Sequence, residues 1–176
     1  DLNAESIVED LCFGPGIEVI DVGFAGVDES VGVFYGAENF VGIDSGFLMT
    51  TGLSVTTMGG IQTGADRPSN FVASVNNTST ASYPGLNTLA NSDVIEDVAV
   101  YTITFVPTQD SILFRYVFAS EEYPDFVCSP FNDVFGFFLT GPASNGNVQT
   151  TNLATIPGGT LPVSINSVNS GSAGNH

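Results

Sequence analysis

Two runs decide the fold: Val98-Ala-Val-Tyr-Thr-Ile-Thr-Phe-Val106 and Ile112-Leu-Phe-Arg-Tyr-Val-Phe-Ala119. Both are dense in β-branched and aromatic residues, and neither shows helical spacing. Gln109-Asp110 lies in the turn between them, so the pair is expected to form a β-hairpin. Working outward, residues 17–24, 31–35 and 46–51 read as shorter strands before this pair. Residues 134–139, 152–156 and 162–165 read as strands after it, divided by Gly- and Pro-bearing turns. The N-terminal segment has helical character. Asn3 is its N-cap, Glu5 sits in the first turn, and Ile7, Val8 and Leu11 form an apolar stripe. Residues 54–95, rich in Ser, Thr, Asn and Gly, read as a long surface excursion with one helical turn at 86–90. This pattern predicts an all-β protein: an antiparallel β-sandwich, jelly-roll-like, with a short N-terminal helix and long surface loops. A single domain is expected over 1–168, with the Gly/Ser-rich residues 169–176 as a flexible tail or loop stub.

Composition narrows the function. The 176 residues hold 19 acids, two arginines, no lysine and one histidine, for a net charge of -17. Lysine Schiff-base chemistry is excluded, and a catalytic triad would rest on the terminal His176. Arg67 and Arg115 cannot supply the positive footprint of a nucleic-acid binder. Hydrophobic residues make up 43 % and charged ones 12 %, so the chain folds rather than staying disordered. No apolar run reaches the roughly 18 residues of a membrane span. Cys12 and Cys128 are too few for a disulfide framework; pairing with each other, pairing elsewhere and remaining as thiols all stay open. Asn76 and Asn77 each begin a glycosylation sequon, a short pattern that carries little weight by itself. Asp66-Arg67 reads as a loop-pinning pair.

Four of the acids are grouped between two aromatic runs. Glu121, Glu122, Asp125, Asn132 and Asp133 fall within thirteen residues. Three readings compete. Clustered carboxylates repel unless a cation relieves them, and oxygen donors of this kind suit calcium. Alternatively, Arg115 forms a structural ion pair with Glu122 or Asp133 and the other acids are solvated. A glycosidase pair is the third; adjacent Glu121 and Glu122 would point to opposite faces of a strand, which makes them a poor dyad. The cation is the reading preferred here. Tyr83, Tyr123 and Phe126 are candidates to stack on a bound sugar.

The residues Phe114-Arg-Tyr-Val-Phe-Ala-Ser-Glu-Glu-Tyr-Pro124 and Phe131-Asn-Asp-Val-Phe-Gly-Phe-Phe-Leu-Thr-Gly-Pro142 resemble the choice-of-anchor L domain, a family of bacterial secreted and cell-surface proteins. Gly32-Val-Phe34, Gly42-Ile-Asp-Ser-Gly46, Met49-Thr-Thr-Gly52, Ile156-Pro-Gly158 and Pro162-Val-Ser-Ile-Asn-Ser-Val-Asn169 support the resemblance, in order along the chain. It implies an extracellular location and no known reaction. It also implies further strands after residue 169, hence an open sheet edge that a companion polypeptide, self-association or a surface filament would complete. The function expected is a non-enzymatic, calcium-stabilised adhesion or structural module, with a calcium-dependent carbohydrate-binding module as the alternative.

Overall fold

A computed structural model of the chain describes residues 4–14, 16–52, 54, 78–120, 122–123 and 126–169. The sequons at Asn76 and Asn77, the pair Asp66-Arg67, and two of the acids, Glu121 and Asp125, lie outside the described residues. The protein is all-β, with 32 % strand against 14 % helix; among the described residues the ladders are antiparallel and none closes into a barrel. The elements in order are α1 (Ala4–Leu11), β1 (Ile17–Ala25), a 3-10 turn (Asp28–Ser30), β2 (Val31–Tyr35), α2 (Glu38–Val41) and β3 (Ser45–Met49). Then follow α3 (Pro84–Ala90), β4 (Val100–Pro107), β5 (Val134–Phe135), β6 (Phe138–Pro142), β7 (Val148–Asn152) and β8 (Val163–Ser164). Strands pair as β1–β4, β2–β3, β5–β8 and β6–β7. The described residues form two compact units, one from 4–14, 16–52, 54, 78–82 and 96–117, the other from 83–95, 118–120, 122–123 and 126–169.

In the first unit, β1 shows how a break in sequence alternation becomes geometry. Its apolar residues run Ile17, Val19, Ile20, Val22, Phe24, changing parity at the third. A bulge between Val19 and Asp21 absorbs the change, turning Ile20 out to 59 % exposure and Val22 and Phe24 inward. The strand pairs with β4 from Ile17↔Pro107 to Ala25↔Val100. This corrects the expected hairpin: among the described residues 112–119 forms no ladder with β4, and β1 pairs with β4 instead. Side chains decide it. Phe24 packs on Tyr101 at 4.8 Å, while the Arg115 guanidinium donates to the Gly42 carbonyl at 2.5 Å and draws 112–117 toward the α2–β3 turn. Gln109-Asp110 also lacks the left-handed pair that a tight hairpin turn requires.

Buried Ala4, Ile7 and Val31 form the core, lined by Phe24, Val33, Phe47, Met49 and Tyr101. Each large apolar side chain buried there contributes about 1.5–3 kcal/mol. The Tyr101 ring meets Phe47 edge-on at 5.5 Å, and its hydroxyl donates to the Ala4 carbonyl at 2.6 Å, tying α1 to β4. Beside β2, the buried Ser54 hydroxyl is within bonding distance of the Glu29 and Val31 carbonyls. Gly32 makes room for it, since a Cβ there would stand 3.1 Å from that hydroxyl. Helix α2, four residues long and absent from the sequence expectation, ends at Gly42 in the left-handed region, whose N–H closes onto the Glu38 carbonyl.

In the second unit, the strand expected at 134–139 is two strands. At its middle, Phe137 N–H donates to Asn152 Oδ1 at 3.0 Å and Leu153 N–H donates to the Phe137 carbonyl at 2.7 Å. The chain thus changes partner there, from β8 to β7. The Phe138 ring lies over Gly136, where any side chain would collide with it. The expected strand at 152–156 begins earlier, as β7, and leaves one further bridge, Thr155↔Pro162. Helix α3 contains the expected turn, with Pro84 at its start and Asn91 in the left-handed region at its end. Ala154, Val163 and Ile165 are buried.

Candidate functional site

The two stretches that carry the family resemblance in the second unit are bonded to each other. Ser120 Oγ donates to Asp133 Oδ2 at 2.7 Å and accepts the Glu122 N–H at 3.1 Å, closing the start of the acidic loop onto its end. The Asp133 carbonyl accepts from Ile165 N–H at 3.1 Å, and Asn132 Oδ1 accepts from Asn166 N–H at 3.1 Å. Asn166 returns both ends of its amide: Oδ1 accepts from Cys128 N–H at 2.5 Å and Nδ2 donates to the Ser129 carbonyl at 3.2 Å. Those bonds hold Cys128 at φ 62°, an uncommon conformation for a non-glycine residue. The Tyr123 hydroxyl donates to the Val168 carbonyl. The result is a clasp of amides and hydroxyls between 120–133 and 162–169, with the Ser164 and Ser167 hydroxyls 3.0 Å apart and buried beneath it.

Of the expected ligands, Glu122, Asn132 and Asp133 belong to this clasp, Asn132 and Asp133 through atoms directed at backbone or at Ser120. Among the described residues, no three His, Cys, Asp or Glu side chains are grouped to hold a metal ion. Burial, and then the Asp133 charge, push the Tyr123 phenol above its ordinary range, so it remains a neutral donor. Tyr83 packs on Phe138 at 5.0 Å, and Phe126 meets Phe131 edge-on at 5.7 Å, both rings partly exposed. Asn166 and Ser120 were not singled out from sequence. The signal for them is the run of small polar residues in Ser164-Ile-Asn-Ser167, too polar for a core strand unless each group is bonded.

In the first unit, Arg115 lies over a shallow cavity of about 320 Å³ formed by residues 41–43 and 114–117. Neither Cys12 nor Cys128 forms a disulfide. Cys12 keeps part of its surface in solvent, but burial of the rest pushes its thiol up to about 11, so it is not a thiolate at neutral pH.

The described residues define an antiparallel all-β module whose signature residues hold backbone together. The model of the choice-of-anchor L domain matches residues 1–176, and the chain belongs to that family. No curated protein and no solved structure matched in the same comparisons. Membership points to the bacterial cell surface or to secretion, and among the described residues no helix is long and apolar enough to cross a membrane.

Proposed function

We propose that this domain is a non-enzymatic adhesion or structural module of a bacterial surface protein, with calcium stabilising its acidic loop. The observation that carries the reading is the clasp: Ser120, Asn132, Asp133 and Asn166 bond to one another and to backbone, which shapes a loop rather than presenting reactive groups. The calcium half draws on charge. Glu121, Glu122, Asp125 and Asp133 fall within thirteen residues of chain, and a hard cation is the ordinary relief for such repulsion. Asn132 Oδ1, with one lone pair engaged by Asn166, has a second to offer an ion. A ligand bound only by the folded state at a hundred times its Kd adds about 2.7 kcal/mol. Melting temperature in millimolar calcium against chelator tests this. A rise that disappears in Glu122→Gln is expected; an unchanged melting temperature overturns the calcium half.

A further inference from the structure

Asn145-Gly146 is the one Asn-Gly pair in the 176 residues, and it sits at the tip of the β6–β7 hairpin. The loop is closed twice. Ala143 N–H donates to the Asn147 carbonyl at 2.8 Å, and Gly146 N–H donates to the Ala143 carbonyl at 2.8 Å. Gly146 has φ 81°, the left-handed residue that follows the turn in a three-residue hairpin loop. The Asn145 side chain is bonded within the loop as well, its Oδ1 accepting from Asn147 N–H at 3.0 Å. Residues 144–150 are all exposed to water.

These bonds bear on one reaction. A glycine nitrogen, with no side chain to crowd its approach, can attack the side-chain carbonyl of the asparagine before it. The Gly146 nitrogen bonds to Asn145 Cγ and loses its proton, the Cγ–Nδ2 bond breaks, and ammonia leaves. The product is a cyclic imide. Water then opens the imide at either carbonyl and leaves aspartate or isoaspartate at position 145. The loop holds the two reacting groups differently. Asn147 N–H points at Oδ1, where negative charge gathers as Cγ is attacked, so the electrophile is already polarised. The Gly146 nitrogen is held back, because its hydrogen is engaged by the Ala143 carbonyl.

We propose that Asn145 is a site of self-modification gated by the hairpin tip: the folded loop withholds the Gly146 nitrogen, and each opening of the Gly146–Ala143 bond exposes Asn145 to conversion. Solvent-exposed backbone bonds in a two-stranded hairpin open at little cost. Lost ammonia does not return, so converted chains accumulate with time. The two products differ in effect. Aspartate keeps the oxygen that Asn147 N–H bonds, and it adds charge where the chain has no Asp, Glu, Lys or Arg after Asp133. Isoaspartate routes the backbone through an extra carbon, so the two loop-closing bonds no longer fit and pairing is lost from Pro142↔Val148 inward.

Peptide mapping by mass spectrometry at mildly alkaline pH follows position 145 in the folded chain, in the chain unfolded by urea, and in a synthetic peptide of residues 142–148. The peptide and the unfolded chain are expected to convert at similar rates, and the folded chain at least about tenfold more slowly. Thr150→Gly removes the exposed Thr140–Thr150 hydroxyl bond and weakens β7, and is expected to speed conversion in the folded chain about fivefold. Asn145→Gln, whose longer side chain must close a larger ring, is expected to stay unmodified. Chains carrying isoaspartate, separated by chromatography, should show faster amide exchange at 138–142 and 148–152 with β1 and β4 unchanged. A folded chain that converts as fast as the peptide overturns the gate. So does a Thr150→Gly chain that keeps its circular dichroism spectrum and converts no faster. Absence of conversion at position 145 in urea overturns the site itself.

Discussion

In the unit built on α1 and β1–β4, apolar burial holds the elements together: Ala4, Ile7 and Val31 are nearly dry, and three aromatic rings interlock at 4.8 and 5.5 Å. In the unit built on α3 and β5–β8, strands are as short as two residues, and a lattice of amide and hydroxyl bonds does much of the same work. Apolar cores tolerate imprecision because burial has no direction. A polar clasp is directional, so one misplaced donor leaves its partners unsatisfied at a cost of about 1–3 kcal/mol each. The second arrangement therefore needs specific residue types at specific places. That is where the longest motifs of the family resemblance fall.

Three substitutions break this contrast, in descending order of effect. Ile7→Ala opens a cavity under α1 and is expected to destabilise the first unit by about 2–4 kcal/mol. Urea titration measures the loss, and hydrogen exchange should place it in β1–β4. Asn166→Ala removes the bonds to Cys128 and Ser129 and is expected to cost about 2–3 kcal/mol. Its signature is faster amide exchange at 128–135 and 163–168 with β1 and β4 unchanged; a loss spread evenly over both units would contradict a local clasp. Tyr101→Phe, which leaves the ring and removes only the bond to Ala4, should cost about 1 kcal/mol.

The same tyrosine sets a pH dependence. Burial, then the charges of Cys12, Asp28 and Glu5, raise Tyr101, and burial raises Cys12 from 9.0 to about 11. As pH climbs past the ordinary values of these groups, the unfolded chain releases protons that the folded chain still holds. Stability is therefore full below about pH 9 and falls as pH rises above it. Tyr101→Phe should make this fall shallower between about pH 9 and pH 11, measured as urea midpoint against pH. A wild-type midpoint that stays level across that range would show that these groups are not protected from water.

Much of the fold was legible where a segment's own pattern decides its structure. The stripe of Ile7, Val8 and Leu11 gave α1, the β-branched runs gave β1 to β3, and the turn at 86–90 gave part of α3. What escaped depends on choice of partner. Nothing within 98–119 reveals that Phe24 competes for Tyr101, or that Arg115 finds the Gly42 carbonyl. Nor does 134–139 announce that Asn152 interrupts it, because a side-chain amide replacing a ladder carbonyl has no periodic signature. At the candidate site, sequence drew attention to charge. Asn132 and Asp133 stood out, while Ser120 and Asn166, which close the clasp around them, are small polar residues of common type.

The place of Arg115 in the chain has a consequence for resistance to proteolysis. Trypsin-like proteases recognise a cationic side chain before the bond they cut. This chain has no lysine, and Arg67 is followed by Pro68, which such enzymes do not cleave after, so Arg115-Tyr116 is the one bond open to them. Both residues are exposed, the setting where nicking concentrates. Such an enzyme finds one place to cut in 176 residues.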